Sequence, residues 1–363
     1  MNQVDSTVAL PQRAFEPSDP VFIVGCPRSG TTLLASLFDR HSQMAATPET
    51  FCFRHFWRFV LGGRERYPAD KLVKLFTEGR YTRDLQLDPA VLSKYVGTGE
   101  ISVMGFVRTA INLFAHLKGK SRCAEKTPVH LHFVPEILKC YPASRIICIY
   151  RDGRDCALSR RKLDHSVPAL RGYAARWRES SIDMLKFQEQ FPEQFRTVQY
   201  ESLLARPTEE LASLMQFVGL EFEPGQLDAA RPTGVCVDWD IQYKKNILSE
   251  IDPSRAYAWK RTASPRELRI MNSMMRPYLG QLGYEPGDEK PGIWPVRVFD
   301  SAMNAVFRFA FNSRFAEWKR LSRYVLRPLF GTSPHIMPLK PIATAQPPQP
   351  HSEKAGQPQE SHV

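Results

Sequence analysis

The sequence predicts an α/β protein with a P-loop-type, doubly wound parallel sheet flanked by helices. Short β-branched and aromatic runs alternate with segments of helical periodicity, which is typical of such sheets. Val21–Val24 is one run and leads into a glycine-rich loop. Arg145–Tyr150 is nearly continuous in apolar residues, as in a strand buried on both faces, and Thr197–Tyr200 is a third run. Ligands of such sheets bind outside the carboxyl ends of the strands.

The remaining elements follow from shorter signals along the chain. Met44–Thr47 predicts a short second strand, and residues 51–120 are mostly helical in pattern. Apolar residues at helical spacing predict helices within residues 31–41 and 131–138, and within 209–218 with Thr208 as the cap and Gly219 as the end. Strands that alternate with helices in this way support the doubly wound sheet.

Changes in composition divide the chain into four segments. Residues 1–20 carry three prolines and predict a flexible lead-in, and residues 21–290 hold the alternating pattern of the main domain. Residues 291–340 form a basic amphipathic extension, in which apolar and basic side chains keep helical spacing over residues 299–330. An anionic membrane surface, a partner or the domain's own core could cover its apolar face. The Pro- and Gln-rich residues 341–363 predict a disordered tail.

Charge and cysteine usage bound the class of protein. The formal net charge of +11 at pH 7 indicates an anionic partner, and we expect this partner not to be nucleic acid. Seven scattered cysteines without a C-x-x-C pair fit reduced thiols. The N-terminal residues lack a secretion-signal pattern, and no uncharged apolar stretch approaches the roughly 18 residues of a membrane span. We therefore expect a cytoplasmic protein, with its oligomeric state open.

The glycine-rich loop departs from a nucleoside triphosphate site at one position. Gly25 and Gly30 stand where a phosphate-binding loop has its glycines, and Thr32 fills the Ser/Thr position. Thr31 stands where such a loop has its lysine, and the basic residue is instead Arg28. This arrangement suits one 5′-phosphate group held by backbone, hydroxyls and a guanidinium, with no obligatory metal. The alternative is an ordinary tight turn.

A second motif follows the predicted strand Arg145–Tyr150. RDGRDCALS places Arg151 at the strand end and Ser159 two turns into the next helix. An arginine and a hydroxyl in these places can converge on a second phosphate, although a surface turn with local ion pairs is the commoner fate of Arg-Asp-Gly-Arg. Together the two motifs indicate a nucleotide with phosphates at two separated positions.

These motifs resemble those of sulfotransferases that use 3′-phosphoadenosine 5′-phosphosulfate (PAPS). PRSGTTLL, from Pro27 to Leu34, is similar to the family's 5′-phosphosulfate loop, and RDGRDCALS is similar to its 3′-phosphate element. The resemblance covers about residues 21–287 and is nearest the branch with tyrosylprotein and carbohydrate sulfotransferases. It implies PAPS as cosubstrate, no required metal, and nucleotide contacts from Arg28, Ser29, Gly30, Thr31, Thr32, Arg151 and Ser159.

Sulfuryl transfer needs a base for the acceptor proton and a cation for the charge that develops on the leaving oxygens. The resemblance implies Glu49, 21 residues after Arg28, as the base and Lys126 in AEKTP as the electrophilic stabiliser. Without it, Glu49 would be a charge at a helix N-terminus and Lys126 a surface lysine. His130 is the fallback base, although a structural histidine is its default interpretation.

The resemblance extends less closely to the C-terminal part of the domain. It places Tyr200 near the nucleotide, and Ser249–Arg261 resembles a segment that closes over it. Ala258 stands where the tyrosylprotein enzymes carry a binding lysine, so another cation is expected to substitute. The side chains that this segment offers to phosphate or sulfate are Ser254, Arg255 and Lys260.

The sequence thus predicts a PAPS-dependent sulfotransferase acting on a hydroxyl of a glycan, lipid, small molecule or peptide tyrosine. Residues 51–120 are expected to shape the acceptor pocket. One alternative is a P-loop kinase or NTPase, for which Asp152 is placed to hold magnesium. The other is a non-catalytic nucleotide-binding scaffold that docks on a membrane through residues 299–330.

Overall fold

A computed structural model describes residues 15–161, 167–235 and 250–286, together with positions 302, 303, 305 and 306. Its centre is a parallel sheet of five strands in the order β2-β5-β1-β6-β7, and β3 and β4 form a separate antiparallel pair. In chain order the strands are β1 Val21–Gly25, β2 Met44–Ala46, β3 Arg66–Pro68, β4 Glu100–Ser102, β5 Arg122–Lys126, β6 Ile146–Tyr150 and β7 Phe195–Gln199. The predicted fold class is confirmed.

Helices cover both faces of the parallel sheet. They are α1 Thr31–Asp39, α2 Cys52–Leu61, α3 Ala69–Thr77, α4 Pro89–Val96, α5 Val103–Leu117, α6 Val134–Cys140, α7 Gly153–Arg161, α8 Val167–Gln190, α9 Tyr200–Ala205, α10 Pro207–Phe217, α11 Trp259–Thr262 and α12 Pro265–Gln281. Short 3₁₀ segments lie at Thr82–Leu85, Pro128–Phe133, Pro224–Leu227 and Pro253–Arg255.

Alternation along the strands divides the core into two layers. Ile23 and Ile147 face α1, α9 and α10 in one cluster of buried residues. Phe22 and Cys148 face the larger cluster, which includes α2, α5, α8 and α12. Because successive strand residues point to opposite faces, each buried strand needs apolar residues at every position, as Val21–Val24 has.

Three local predictions differ from the structure. The helix predicted from Glu209 begins at Pro207, so Thr208 lies inside it and Arg206 takes the cap position, because proline is preset for a first helical turn. Tyr200 begins α9 instead of ending β7. The β3–β4 pair lies within residues 51–120, which the sequence predicts to be mostly helical. Each of these strands has only three residues, too few to show a strand pattern among the surrounding helices.

The predicted chain segments are only partly covered by the described residues. Residues 15–20 of the lead-in are packed on the domain: the Phe15 ring lies 4.8 Å from that of Tyr95, and Asp19 accepts a hydrogen bond from Arg108 at 3.1 Å. Residues 1–14, nearly all of the basic extension and the whole tail lie outside the described residues. Among the helices that the structure describes, none is long and apolar enough to cross a membrane.

Candidate active site

The strand order brings the predicted site residues into one row along the carboxyl edge of the sheet. Glu49 follows β2, Lys126 ends β5, the glycine loop follows β1, Arg151 follows β6 and Tyr200 follows β7. In the order β2-β5-β1-β6-β7 these positions are neighbours from one end of the edge to the other. Parallel strands gather the residues after them at one edge, as the sequence predicted.

The glycines of the loop are required by their surroundings. Gly25 and Gly30 have φ values of 151° and 106°, which L side chains rarely adopt. A Cβ at Gly25 would lie 2.3 Å from the carbonyl oxygen of Ile149, and one at Gly30 would lie 2.5 Å from the Tyr200 ring. The loop therefore packs directly on β6 and α9, and its chain enters α1 with backbone N–H groups at the helix start.

Arg28 joins the two phosphate motifs. Its φ is 77°, and its Nε donates a hydrogen bond to Ser159 Oγ at 3.1 Å. The loop after β1 and the second turn of α7 are thus held side by side, 131 residues apart in sequence. Ser29, the next loop residue, is fully buried, and its Oγ has no hydrogen-bond partner among the described residues.

Arg151 lies between α7, α9 and the C-terminal segment of the domain. Its guanidinium donates to Asp155 Oδ2 at 3.1 Å and to the carbonyl oxygen of Arg255 at 2.9 Å. The same group stacks over the Tyr200 ring at 4.4 Å. Its Nε is buried and finds no acceptor within the described part of the chain. Tyr200 therefore contacts both the glycine loop and Arg151.

The C-terminal segment is fastened to the start of α7 by Trp259. Its backbone N–H donates to Asp155 Oδ1 at 2.7 Å, and its indole Nε1 donates to Asp152 Oδ2 at 2.9 Å. The Arg154 guanidinium lies 3.7 Å from the indole ring and also donates to both Asp152 oxygens. The segment expected to close over the nucleotide is therefore anchored next to Arg151.

The other predicted residues of this segment lie further out. Ser254 and Lys260 are exposed, and Lys260 pairs with Glu285 at 3.4 Å. Arg255 pairs with Asp252 at 3.3 Å and directs its carbonyl, not its guanidinium, to Arg151. The structure thus brings the backbone of Arg255 into the row of site residues and leaves the Lys260 ammonium at the surface.

Glu49 and Lys126 meet at the opposite end of the row. Lys126 Nζ lies 3.2 Å from Glu49 Oε1, although the two residues are 77 positions apart. The Lys126 side chain is 0% exposed, whereas that of Glu49 is 32% exposed. The Lys126 backbone N–H donates to Thr47 Oγ1 at 3.2 Å, which fastens β5 to the loop that carries Glu49. One member of this ion pair is accessible and the other is enclosed.

His130 lies beneath this pair and is fully buried. Its Nδ1 is 2.8 Å from Glu125 Oε2, and its Nε2 accepts from the backbone N–H of Arg54 at 3.4 Å. Both ring nitrogens are engaged inside the protein, which makes His130 a structural histidine in this geometry. Within the aromatic run after Glu49, Phe53 is buried in the core, whereas Phe51 packs against Tyr81 with ring centroids 4.5 Å apart.

Asp152, the candidate magnesium ligand of a kinase, is fully buried. Its two oxygens accept from Arg154 and from the Trp259 indole, as described above. A carboxylate enclosed in this way is a structural anchor, because its acceptor positions face protein donors instead of the loop. This geometry does not support the kinase alternative.

Comparison with known proteins agrees with this fold. The sulfotransferase domain of the curacin biosynthetic pathway superposes with a TM-score of 0.54 at 22% identity, covering 75% of this chain and 99% of that domain. Residues 20–224, more than half of the chain, match the model of the sulfotransferase family. The chain belongs to the sulfotransferase family. The prediction of a PAPS-dependent transferase is confirmed at this level, and neither the kinase nor the non-catalytic scaffold is favoured.

Relatives of this sulfotransferase include tyrosylprotein enzymes. A provisionally named protein-tyrosine sulfotransferase of Caenorhabditis briggsae is 25% identical over 281 residues, covering 75% of this chain and 91% of that protein. Protein-tyrosine sulfotransferase 2 of Gallus gallus is 23% identical over 282 residues, covering 75% of this chain and 71% of that protein. The predicted nearness to the tyrosylprotein branch is confirmed.

Three residues of the sulfotransferase site were absent from the sequence-based prediction. Asp155 accepts from Arg151, Trp259 donates to Asp155, and Glu125 accepts from the hydroxyl of Thr127, the residue after Lys126. Asp155 stands four residues after Arg151, a spacing that signals a helical ion pair. Trp259 carries no such local signal, because Asp155 is 104 residues away, and the Glu125 partner that links it to the Glu49 loop, Thr50, is 75 residues away.

Proposed function

We propose that this sulfotransferase moves the sulfuryl group of PAPS in line to an acceptor hydroxyl, with Glu49 as general base and Lys126 as electrophilic stabiliser. The observation that carries this proposal is the Glu49–Lys126 pair, 3.2 Å apart beside the glycine loop. Sulfuryl transfer needs one group that removes the acceptor proton and one cation that neutralises the charge on the leaving oxygens. The carboxylate of Glu49 and the ammonium of Lys126 have these two chemistries.

The residues of the two motifs fit a nucleotide with 5′ and 3′ phosphates. Ser29 Oγ and Arg151 Nε are buried polar groups without a protein partner among the described residues, and each belongs to one motif. A buried donor without a partner is costly, and a phosphate oxygen would satisfy it. We infer that Gly30, Thr31 and Thr32 hold the 5′ end with Arg28 and Ser29, and that Arg151 and Ser159 hold the 3′-phosphate.

Tyr200 and the C-terminal segment support the same ligand. Tyr200 contacts Gly30 and Arg151 and so lies between the two phosphate positions. Ser254 and Lys260 are exposed beside this region, and we propose that they contact the nucleotide from the open side. PAPS supplies a sulfuryl group bonded to a phosphate leaving group; the chain supplies the donors that hold both ends.

The different exposure of the Glu49 and Lys126 side chains supports this division of roles. Glu49 is accessible at 32%, so an acceptor hydroxyl can reach its carboxylate and transfer its proton there. Lys126 is enclosed, so its charge acts in a region of low effective dielectric, where it stabilises oxygen charge more strongly than in water. Because Lys126, Arg28 and Arg151 supply the positive charge, we propose that the reaction needs no metal.

Peptide tyrosine is the acceptor that we propose to test first. The support is the tyrosylprotein function in the names of relatives that align over 75% of this chain. Phe51 and Tyr81 form an aromatic surface next to Glu49, which suits a phenol ring as well as other flat acceptors. Cytoplasmic location and docking of residues 299–330 on an anionic membrane stay predictions.

Nucleotide binding is tested by thermal unfolding with 3′,5′-adenosine bisphosphate, compared with ATP plus magnesium. A ligand at about 100 times its dissociation constant stabilises a protein by about 2.7 kcal/mol. We expect the bisphosphate to raise the midpoint by roughly 2 °C or more. Arg151→Ala should abolish this shift, and Arg206→Ala, which changes an exposed arginine, should retain it. A shift with ATP and magnesium alone would overturn the proposal.

The acceptor is tested by turnover of PAPS with a tyrosine peptide and with the same peptide carrying phenylalanine. Sulfation of the tyrosine peptide alone supports the proposed acceptor. Turnover with a glycan or lipid hydroxyl, but not with the tyrosine peptide, would retain the reaction and reject the acceptor.

A further inference from the structure

We propose that Glu125 is a positioning residue that holds Glu49 in place relative to Lys126 from inside the core. This inference rests on the proposed roles of those two residues. Glu125 is adjacent to Lys126 in sequence and fully buried in the domain. Burial of an ionised carboxylate costs free energy unless hydrogen-bond donors satisfy its oxygens.

The carboxylate of Glu125 connects the residues that follow the two catalytic groups. Its Oε1 accepts from the hydroxyl of Thr50 at 2.6 Å and from that of Thr127 at 2.6 Å. Thr50 is the residue after Glu49, and Thr127 is the residue after Lys126. One oxygen atom therefore joins the two backbones next to the base and next to the electrophile.

The second oxygen of Glu125 extends the network to α2. Oε2 lies 2.8 Å from His130 Nδ1, and His130 Nε2 accepts from the backbone N–H of Arg54. The hydroxyls are used in the same way: Thr127 Oγ1 accepts from the N–H of Phe51 at 3.2 Å, and Thr50 Oγ1 from that of Cys52 at 3.1 Å. Each group accepts from the backbone and donates to Glu125.

The directions of these hydrogen bonds favour an ionised carboxylate at position 125. Both threonine hydroxyls and the His130 Nδ1–H point their hydrogens at it, so all three partners are donors. Burial raises the pKa of Glu125, but His130 and the hydroxyls of Thr127 and Thr50 more than offset this, and the pKa lies below its usual value. A glutamine would place an NH₂ group against one of these donors.

The network also accounts for the backbone at Phe51. Phe51 has a φ of 50°, in the left-handed region that a phenylalanine rarely adopts. Its N–H is held by Thr127 and its neighbours by Thr50 and His130. This turn sets where Glu49 points, so a loosened network would move Glu49 relative to Lys126.

The test compares Glu125→Gln with Glu201→Gln in turnover and in binding of 3′,5′-adenosine bisphosphate. Glu201 is a buried carboxylate that accepts from the N–H of Asp152 and the hydroxyl of Tyr284, on the Arg151 side. We expect Glu125→Gln to lower kcat about 10-fold to 100-fold, because small misplacements of catalytic groups have effects of this size. The bisphosphate Kd should stay within about twofold, whereas Glu201→Gln should change the Kd more than kcat.

A second arm introduces Glu125→Gln into a Glu49→Gln background. If Glu125 acts through Glu49, the double variant should be about as active as Glu49→Gln alone. Equal losses in both backgrounds would overturn the inference, as would a bisphosphate Kd that rises in parallel with the loss of kcat. Hydrogen exchange of the Phe51, Cys52 and Arg54 amides should accelerate in Glu125→Gln, and unchanged exchange would also overturn it.

These outcomes separate the inference from the proposed function. A Glu49→Gln variant with full activity would reject Glu49 as base, whatever Glu125→Gln does. A strong loss in Glu49→Gln beside full activity in Glu125→Gln would retain the base and reject the positioning role. Amide exchange reports on the network in the absence of any acceptor.

Discussion

Two regions of the sheet edge are built in different ways. The nucleotide side, residues 25–32 and 151–159, consists of two contiguous motifs in which arginines donate to a hydroxyl, a carbonyl and Asp155. The acceptor side, residues 47–54 and 125–130, consists of an ion pair with one accessible member and a buried carboxylate with three donors. In the first region the functional groups come from consecutive residues of each motif. In the second region the catalytic pair is formed by residues that are distant in the sequence.

This difference has a physical basis. Phosphate is recognised by backbone N–H groups, a hydroxyl and a guanidinium, which one strand–loop–helix unit can supply from consecutive residues. Sulfuryl transfer needs a base and a cation at a fixed separation. Glu49 follows β2 and Lys126 ends β5, two strands that are neighbours in the sheet but far apart in the chain. Only contacts that cross between those strands can fix that separation, and such contacts lie in the core.

The largest effect is expected from Glu49→Gln, which removes the proposed base and keeps its size. We expect kcat to fall by about 10²-fold to 10⁴-fold, since general base catalysis contributes that much. Bisphosphate binding should persist within about twofold, because the nucleotide side is untouched. Steady-state turnover of PAPS measures the first effect and calorimetric titration the second. Glu209→Gln, at an exposed position in α10, is the control, and equal activity of the two variants would reject the base assignment.

Gly30→Ala should break the nucleotide side while sparing the acceptor side. The new Cβ would lie 2.5 Å from the Tyr200 ring at a φ of 106°, so we expect a loss of about 2–5 kcal/mol from overlap and backbone strain. Gly63→Ala is the matched control: its φ is 75° with open space around the Cβ, so backbone strain of about 1–2 kcal/mol is expected. Urea unfolding of both variants measures the difference; equal losses would contradict the packing of Gly30 on Tyr200.

Trp259→Phe should weaken the nucleotide side more mildly. It removes the indole donor to the buried Asp152 and keeps the backbone bond to Asp155, so we expect a loss of about 1–3 kcal/mol in stability. Because the lost indole bond also fastens the segment whose Arg255 carbonyl accepts from Arg151, bisphosphate affinity should fall as well. Trp57→Phe, in α2, should leave that affinity unchanged. Thermal unfolding with and without the bisphosphate distinguishes the two; an unchanged shift in Trp259→Phe would show that its anchor does not reach Arg151.

The smallest effect is expected in the pH dependence of stability. The folded-state pKa of Glu125 lies below its ordinary value of 4.5, so between the two values the unfolded chain binds more protons. The stability from Glu125 is therefore complete above pH 4.5 and is lost as pH falls through the folded-state value. The difference in free energy of unfolding between the parent and Glu125→Gln should shrink towards acid pH in urea titrations. A difference independent of pH would contradict an ionised Glu125. Arginines of the nucleotide side keep their charge throughout this range.

The same contrast explains what could be predicted from the sequence. The glycine loop and Arg151 follow strands that are apparent as apolar runs, so their motifs and their meeting at one edge could be predicted. Glu49 and Lys126 were assigned through the family resemblance alone, because nothing local in the sequence brings them to 3.2 Å.

Most of the missed features depend on long-range contacts or on very short elements. Trp259 reaches Asp155 across 104 residues, and Glu125 gains its role only when Thr50 packs against it across 75. The three-residue strands β3 and β4 are too short for a period-2 pattern to stand out from helical surroundings. Thr208 has the chemistry of a cap, but the preceding proline starts the helix two residues before the predicted start at Glu209.

The order of the strands also determines which segments of the chain can be changed independently. Because β2 lies at one end of the row and β7 at the other, the segment after β2 can change without altering the loop after β1 or the start of α7. We therefore expect that substitutions in residues 51–120 can alter the acceptor preference and leave the residues proposed to hold the donor in place. The fold is in this sense modular: the strand that precedes the proposed base lies at one edge of the sheet, and the loops proposed to hold the nucleotide lie nearer its centre.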